Sequence, residues 1–161
     1  MMKKLFLAIV LAAISTTGAF AQFEKGKIYG GASVSGFDMS YSETTKFSLG
    51  VDAALGKMIA QDWLIIAELG YQYHNSETQT FSVGAKGRYY IEQNGIFLSL
   101  GAKFQHMFKD YNDFFLTPEV GYCWFLNRSV MLEPSIYYNM SLSDFGDKSR
   151  FGIKVGLGFF F

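Results

Sequence analysis

The sequence predicts an all-β protein: an eight-stranded antiparallel up-and-down transmembrane β-barrel with an apolar, lipid-facing exterior and a charged, Gly-rich, filled lumen. Three observations lead to this fold class. Apolar residues alternate with small or polar ones over long stretches, turn signals recur at regular spacing, and aromatic residues reach 18% of the 161-residue chain. Alternation with a period of two indicates a strand whose two faces meet different surroundings. It is clearest in residues 151–161, where one parity is uniformly apolar and ends in an aromatic residue.

The first element is an export signal that is not part of the barrel. Residues 1–4 include two lysines, residues 5–13 are apolar, and residues 19–21 read Ala-Phe-Ala. This combination is typical of a secretory signal peptide. The apolar run is shorter than the roughly 18–20 residues that a membrane-spanning helix needs. We therefore divide the chain into a signal peptide at residues 1–21 and an outer-membrane β-barrel domain at residues 22–161.

Eight strands follow in the barrel domain. They are predicted at residues 27–39, 46–59, 63–74, 79–91, 96–109, 114–126, 130–141 and 149–161. The tight turns are at residues 60–62, 92–95 and 127–129, and the polar, mostly longer connections are around residues 40–45, 75–78, 110–113 and 142–148. Tight turns at one end and longer loops at the other are typical of outer-membrane barrels.

Each strand is supported by its alternation, although the first, which is rich in Gly and Ser, shows the weakest pattern. From the second strand to the eighth, the apolar parity is represented in turn by Leu49, Ile65, Val83, Leu98, Val120, Ile136 and Ile153. The opposite parity is represented by Gly50, Glu68, Lys86, Lys103, Glu119, Glu133 and Lys154. Pro118 and Pro134 lie on the apolar parity, where a proline costs ladder hydrogen bonds, and we expect local bulges there.

The apolar faces are predicted to point outward, toward lipid. The alternative is a soluble, lipocalin-like binding barrel with an apolar cup and a wet exterior. The exterior of such a barrel would need many charged side chains, but the polar parity holds few charges among its Gly, Ser and Ala residues. The lumen of eight strands is also only wide enough for side chains to fill it, so bulky apolar residues fit better outside.

With this orientation a set of charged side chains points into the lumen: Asp52, Glu68, Lys86, Arg88, Lys103, Glu119, Glu133, Arg150 and Lys154. A charge in a narrow, low-dielectric interior is costly unless it is paired. A hairpin whose loop is residues 109–113 would place Lys103 opposite Glu119, and similar reasoning sets Glu68 diagonally beside Lys86. We interpret the set as a structural ion-pair network that fills the barrel. Acid–base catalysis or an ion path is the alternative.

Composition argues against several classes of function. Lysine plus arginine equal aspartate plus glutamate, at 14 each, so the chain lacks the basic excess that nucleic-acid binding requires. Cys123 is the only cysteine, which excludes an intrachain disulfide, and the Cys/His spacing of zinc sites is absent. We therefore expect no cofactor, no metal site and no nucleic-acid partner.

The signal that ends in Ala19-Phe20-Ala21, the eight alternating segments and the terminal strand closing on Phe161 resemble small eight-stranded outer-membrane barrels of the OmpX and OmpA-transmembrane-domain type, a porin-like family. The resemblance covers the whole barrel domain. It implies the outer membrane of a Gram-negative cell and contact with lipid, lipopolysaccharide, periplasmic chaperones and the outer-membrane assembly machinery. It also implies that the terminal strand carries the assembly signal, on Ile153, Val155, Leu157, Phe159 and Phe161.

Barrels of this type serve several functions, and the sequence favours a monomer with a plugged lumen and a structural, membrane-anchoring or surface-interaction role. A narrow low-conductance pore is one alternative. A lipid A-modifying enzyme is another, suggested by the spacing of His74 and Ser76 near one rim. Because no positioned base, nucleophile and orienting residue accompany them, we expect no catalytic residue and no enzymatic activity.

Overall fold

Strands occupy most of the chain, at the positions where alternation predicts them. The computed structural model describes residues 23–40, 49–75, 78–91, 94–107 and 111–161. Within these ranges the strands are β1 Ile28–Ser40, β2 Leu49–Ala60, β3 Trp63–Asn75, β4 Thr78–Tyr90, β5 Ile96–Met107, β6 Tyr111–Tyr122, β7 Trp124–Phe125, β8 Val130–Ser141 and β9 Arg150–Phe160. β6 and β7 lie end to end as one barrel strand that is interrupted at Cys123. The signal peptide predicted at residues 1–21 lies outside the described residues.

The sheet closes on itself into an eight-stranded, antiparallel, up-and-down barrel, which confirms the predicted fold class. In the described part of the chain, successive barrel strands pair with one another in sequence order. β1 also pairs with β9, with Val34 opposite Val155, so the first and last strands are joined. A closed ring leaves no unpaired strand edge, and a sheet surrounded by hydrocarbon requires this.

The apolar faces point outward, as predicted. Leu55, Leu69 and Leu100 lie within strands and yet expose 70%, 54% and 56% of their surface. Arg88 and Glu119, on the opposite parity, expose only 2% and 5%. Bulky apolar residues outside and charged residues inside match the pattern of a membrane barrel. This arrangement is the reverse of the lipocalin-like alternative.

Strand boundaries differ from the prediction by a few residues, and one difference matters for the lumen. β8 spans Val130–Ser141 as predicted, whereas β6 begins at Tyr111 instead of residue 114. Met107 lies opposite Tyr111, so residues 108–110 connect β5 to β6, where the sequence predicted a loop at 109–113. The shorter loop changes the cross-strand partners along the whole hairpin, because loop length sets its register.

A β-bulge explains why the first strand shows the weakest alternation. Before the bulge, Val34 lies opposite Val155. The register shifts after Ser35, and Phe37 then lies opposite Ile153. A bulge inserts one extra residue into a strand. The outward parity therefore changes along β1, and no single period-two pattern fits the whole strand.

Pro118 and Pro134 interrupt the same seam of the barrel, between β6 and β8. Residues 117 and 118 of β6 form no ladder pair with β8, although Thr117 Oγ1 donates to Asn139 Oδ1 at 2.8 Å. The ladder stops again at residues 122 and 123, across from Pro134. Both prolines keep a partner on their other side, which is Leu100 on β5 for Pro118 and Val155 on β9 for Pro134. The missing N–H donors therefore fall in this one seam.

The bulges expected at the prolines are absent from this seam of the described chain. Leu116 lies opposite Met140 before the first break. Val120 lies opposite Ile136 after it, so both strands have the same number of residues between the paired positions. A bulge would make these numbers unequal. The expectation was wrong: the prolines break the ladder without changing its register.

The connection between β8 and β9 contains one helical turn, Phe145–Lys148. The Asp144 N–H donates to Ser141 Oγ at 3.1 Å, immediately before this turn. No helix in the described part of the chain is both long enough and apolar enough to cross a membrane.

Candidate functional site in the lumen

The lumen changes character along the barrel axis, and its end near the tight turns is apolar. The buried cluster at this end consists of Phe23, Tyr29, Met58, Leu64, Ile66, Tyr90, Phe97, Cys123, Phe125, Met131 and Phe160. This cluster modifies the expectation of a charged, Gly-rich lumen. Its signal in the sequence is the presence of large apolar residues on the inward parity beside the tight turns, for example Leu64, Ile66 and Phe97.

The middle of the lumen contains an ion-paired layer centred on Glu119. Lys86 Nζ lies 2.9 Å from Glu119 Oε2, and Lys154 Nζ lies 3.0 Å from Glu119 Oε1. Lys86 Nζ also lies 2.5 Å from Glu68 Oε1. Two lysines and two glutamates thus balance each other in charge, and a low-dielectric interior tolerates charged groups only when they are paired in this way. We call these four residues the ion-paired layer.

A glycine makes room for the central lysine. Gly101 on β5 lies opposite Lys86 on β4. A Cβ atom added to Gly101 would lie 2.7 Å from Lys86 Cβ, closer than real Cβ atoms approach. The Gly-rich inward parity of the sequence therefore provides clearance for long charged side chains in a narrow barrel.

A second polar cluster is centred on Glu133 and borders the apolar end. Arg88 Nη1 donates to Glu133 Oε1 at 2.6 Å, and Tyr29 Oη donates to Glu133 Oε2 at 2.6 Å. Cys123 Sγ lies 3.3 Å from Glu133 Oε1. The guanidinium carbon of Arg88 lies 3.9 Å from the centroid of the Phe97 ring. This cation–π contact stabilises the arginine charge beside the aromatic residues.

The prediction that Lys103 faces Glu119 is wrong. Lys103 lies opposite Phe115, and the residue opposite Glu119 is Ser99. The cause is the short β5–β6 connection, which shifts the register of this hairpin. Lys103 Nζ instead lies 3.7 Å from Asp52 Oδ1, on β2.

Glu68 and Lys86 are diagonal neighbours on β3 and β4, where hairpin register sets them. Lys86 lies opposite Ile66, two residues from Glu68. Arg150 lies at the start of β9, half-buried near the loop end. Among the described residues, ion pairs of the lumen include Asp52, Glu68, Lys86, Arg88, Lys103, Glu119, Glu133 and Lys154.

Two cavities lie on opposite sides of the ion-paired layer. The larger, in the loop half of the lumen, offers about 40 Å³ to the centres of water molecules, which is room for a few waters. The smaller, of about 10 Å³, is bordered by Tyr29 and Glu133. The ion-paired layer lines both cavities and therefore separates them.

Further polar pairs lie at the loop end, one on the outer face and the others around the buried Asp113 and Ser141 on the inward parity. His106 Nδ1 lies 2.6 Å from Asn112 Oδ1 on the outer face. The hydroxyls of Ser141 and Ser143 donate to the Asp113 carboxylate at 2.7 and 2.8 Å. The serine–aspartate contacts are hydrogen bonds of the kind that hold a turn, and they connect the β8–β9 turn to β6.

No three or more His, Cys, Asp or Glu side chains in the described part of the chain are arranged to hold a metal ion. The His74 side chain and Ser76, on which the lipid A-modifying alternative depends, lie outside what the structure describes.

The residues assigned to the assembly signal lie along the terminal strand, on its outward parity. They are Ile153, Val155, Leu157, Phe159 and Phe161. Phe161 exposes 80% of its surface. Its N–H donates to the Ile28 carbonyl at 2.9 Å, and the Ile28 N–H donates to the Phe161 carbonyl at 3.1 Å. The backbone of Phe161 therefore extends the ladder between β9 and β1. Its side chain takes no part in these hydrogen bonds.

Comparison with known proteins finds the same fold in outer-membrane barrels. No protein-family model and no curated protein matches the chain. Neisserial surface protein A is similar in structure, with 15% identity and a TM-score of 0.61 over 85% of this chain and 98% of that one. The N-terminal β-barrel domain of Pseudomonas aeruginosa OprF has 13% identity and a TM-score of 0.62, with the same coverage. The Yersinia pestis attachment invasion locus protein Ail has 17% identity and a TM-score of 0.52, over 85% and 99%.

These likenesses confirm the fold that the resemblance implied. Almost the full length of each solved barrel is covered, so the correspondence is between whole barrels. The chain has the fold of small eight-stranded outer-membrane β-barrels of the OmpX and OmpA type. At these identities the likeness concerns fold alone, because one fold supports many functions.

Proposed function

We propose that this protein is a small integral outer-membrane β-barrel with a plugged lumen and a structural, membrane-anchoring or surface-interaction role. Two sets of contacting side chains in the lumen support the proposal. One is the ion-paired layer, and the other is the apolar cluster at the turn end. A solute would have to disrupt both layers in order to cross the barrel.

Each layer opposes transport for a different physical reason. Separating Glu119 from Lys86 and Lys154 would leave buried charges unpaired, which is strongly unfavourable. The apolar cluster offers an ion no groups that could replace its hydration shell, and apolar constrictions exclude water. These costs favour a plugged barrel over a low-conductance pore.

The exterior supports an outer-membrane location. Bulky apolar side chains cover the outward faces, and the rings of Trp63 and Tyr89 lie 5.1 Å apart beside the turn end. Aromatic residues at this height are typical of the membrane interface. We infer a monomeric Gram-negative outer-membrane protein that is exported by a cleaved signal peptide. Its partners are lipid, lipopolysaccharide, periplasmic chaperones and the outer-membrane assembly machinery.

We also infer that the protein is not an enzyme. A general acid or base must reach its substrate, but the lumen carboxylates are engaged by other side chains. Glu119 is bound by Lys86 and Lys154, and Glu133 by Arg88 and Tyr29. Structural ion-pair networks of this kind imitate the charged residues of active sites without their chemistry.

The plugged lumen is tested by recording ion current across planar bilayers that contain the refolded protein. Folding is verified first by heat-modifiable gel mobility, because a folded barrel and the boiled chain migrate differently. We expect no discrete current steps from the folded protein, whereas a wide porin inserted in the same way gives large steps. Discrete and reproducible steps from the folded protein would contradict the plug and favour the pore.

A further inference from the structure

The turn end of the lumen is closed by a segment that precedes the barrel. Residues 23–27 lie before β1, and Phe23 is completely buried. The Asp62 N–H, in the β2–β3 turn, donates to the Phe23 carbonyl at 3.2 Å. The Gly26 N–H donates to the Met58 carbonyl at 2.9 Å, and the Met58 N–H donates to the Lys27 carbonyl at the same distance. The segment is therefore hydrogen-bonded to the turn end of the barrel.

Phe23 packs against side chains from several positions around the ring. Its ring stacks on Tyr90 of β4, with centroids 3.7 Å apart and planes 15° apart. It contacts Phe125 of β7 at 5.6 Å and Phe160 of β9 at 5.9 Å. An aromatic ring that touches well-separated strands at once must lie within the barrel mouth, because one side chain on the rim could not reach them all.

The segment has two unlike faces, as a closure between the lumen and water requires. Phe23 points into the apolar cluster, whereas Glu24 and Lys25 are exposed. Gly26 has a φ of 97°, a conformation that L-residues with a side chain rarely adopt and that turns the chain into β1.

We propose that residues 23–27 act as a stopper that seals the turn end of the lumen and controls access from that end to the buried Cys123 thiol. Phe23 stacks on Tyr90, and both residues belong to the same buried cluster as Cys123. Cys123 contacts Glu133 in turn. The native thiol therefore lies in the buried cluster that Phe23 completes, and its accessibility reports on removal of the stopper.

The test is the rate at which a small, water-soluble methanethiosulfonate reagent modifies Cys123 in the folded, full-length protein. Phe23→Ala removes the ring and should raise the rate by roughly tenfold or more, because opening then disrupts fewer buried contacts. Phe23→Leu preserves most of the apolar volume and should stay near the native rate. Phe81→Ala makes the same change on the outer face and should also stay near it.

A bulky maleimide–polymer reagent distinguishes loss of the stopper from general unfolding of the barrel. The strands remain closed when only the stopper is lost, so Phe23→Ala should not accelerate the bulky reagent. Equal rates for the native protein and Phe23→Ala with the small reagent would overturn the proposal. Acceleration by both reagents would also overturn it, since the substitution would then have opened the barrel wall. Neither result depends on ion current. The stopper proposal can therefore be contradicted without contradicting the proposal of a plugged lumen.

Discussion

Glu119 forms ion pairs with lysines from two different strands, and the sequence pattern predicted neither pair. Each of its carboxylate oxygens lies near a different lysine, Lys86 or Lys154, and only 2% of its side chain is exposed. Lys86 is shared with Glu68, so the layer holds two positive and two negative groups. Removing one member leaves an unbalanced charge in the buried interior. The energetic consequence should therefore be much larger than for a surface ion pair.

We predict that Glu119→Gln destabilises the folded barrel by about 3–5 kcal/mol, because it leaves a buried lysine charge uncompensated. Ion current should remain absent, since the apolar cluster is unchanged. The measurement is urea unfolding in lipid vesicles, followed by tryptophan fluorescence and gel mobility. Glu24→Gln is the matched control, and an exposed glutamate of this kind should change stability by less than about 0.5 kcal/mol.

The double variant Glu119→Gln/Lys154→Met tests the charge balance itself. It leaves Glu68 and Lys86 as a neutral pair, so part of the lost stability should return. The coupling between two substitutions in one network is what a double-mutant cycle measures. Equal unfolding midpoints for Glu119→Gln and the native protein, or no recovery in the double variant, would count against the network as described.

At the scale of elements, the β6–β8 seam is the place where hydrogen bonding around the ring is weakest among the described strands. Both proline breaks fall in it, while the neighbouring β5–β6 and β8–β9 pairings continue past each proline. Backbone groups that face hydrocarbon without a partner are costly. Local opening of the barrel should therefore begin at this seam.

We predict that Pro118→Ala restores a backbone donor toward β8 and raises stability by about 1 kcal/mol, the net value of a typical hydrogen bond. The backbone amide that the substitution creates should be protected from hydrogen exchange, as measured by NMR on the folded protein. Pro134→Ala repeats the experiment at the second break and should behave in the same way. If the created amide exchanges as fast as the amides of the tight turns, the break does not arise from the missing donor.

At the scale of the whole molecule, closure of the ring depends on the last strand. β9 pairs with β1 on one side and β8 on the other, and the Phe161 backbone continues the pairing at Ile28. The Phe161 side chain takes no part in that ladder and is the most exposed of the large apolar side chains described. The side chain is therefore left exposed in the folded barrel.

We predict that Phe161→Ala lowers the amount of barrel assembled in cells but leaves the stability of the refolded protein within about 1 kcal/mol of native, as for other exposed substitutions. The first quantity is measured by heat-modifiable mobility of outer-membrane fractions and the second by urea unfolding. Phe81→Ala, at an outward-facing phenylalanine on β4, should leave the amount of assembled barrel at the native level. If Phe161→Ala and the native protein assemble in equal amounts, the proposed assembly role of this side chain is contradicted.

The faces of the strands could be predicted from the sequence because they depend on local geometry. Inward and outward positions alternate along any strand, so Leu69 and Glu68 are assigned to opposite faces without knowledge of the neighbours. The diagonal contact of Glu68 with Lys86 could be predicted for a similar reason, since it lies within one hairpin. The prediction that Lys103 pairs with Glu119 was wrong because hairpin register depends on loop length. The run of mostly polar residues at 109–113 does not show where the loop begins and ends.

The fold class, the orientation of the strand faces and most of the charges that need partners in the lumen follow from the alternation of residues along the chain. Which of these charges pair with one another depends on how the barrel closes. Lys154 of β9 meets Glu119 of β6 across the intervening β8, and Arg88 of β4 meets Glu133 of β8. Closing a narrow ring brings side chains from non-adjacent strands within contact distance, and no local period encodes that. Phe23 illustrates the same point, because its partners on β4, β7 and β9 meet only after the barrel has closed.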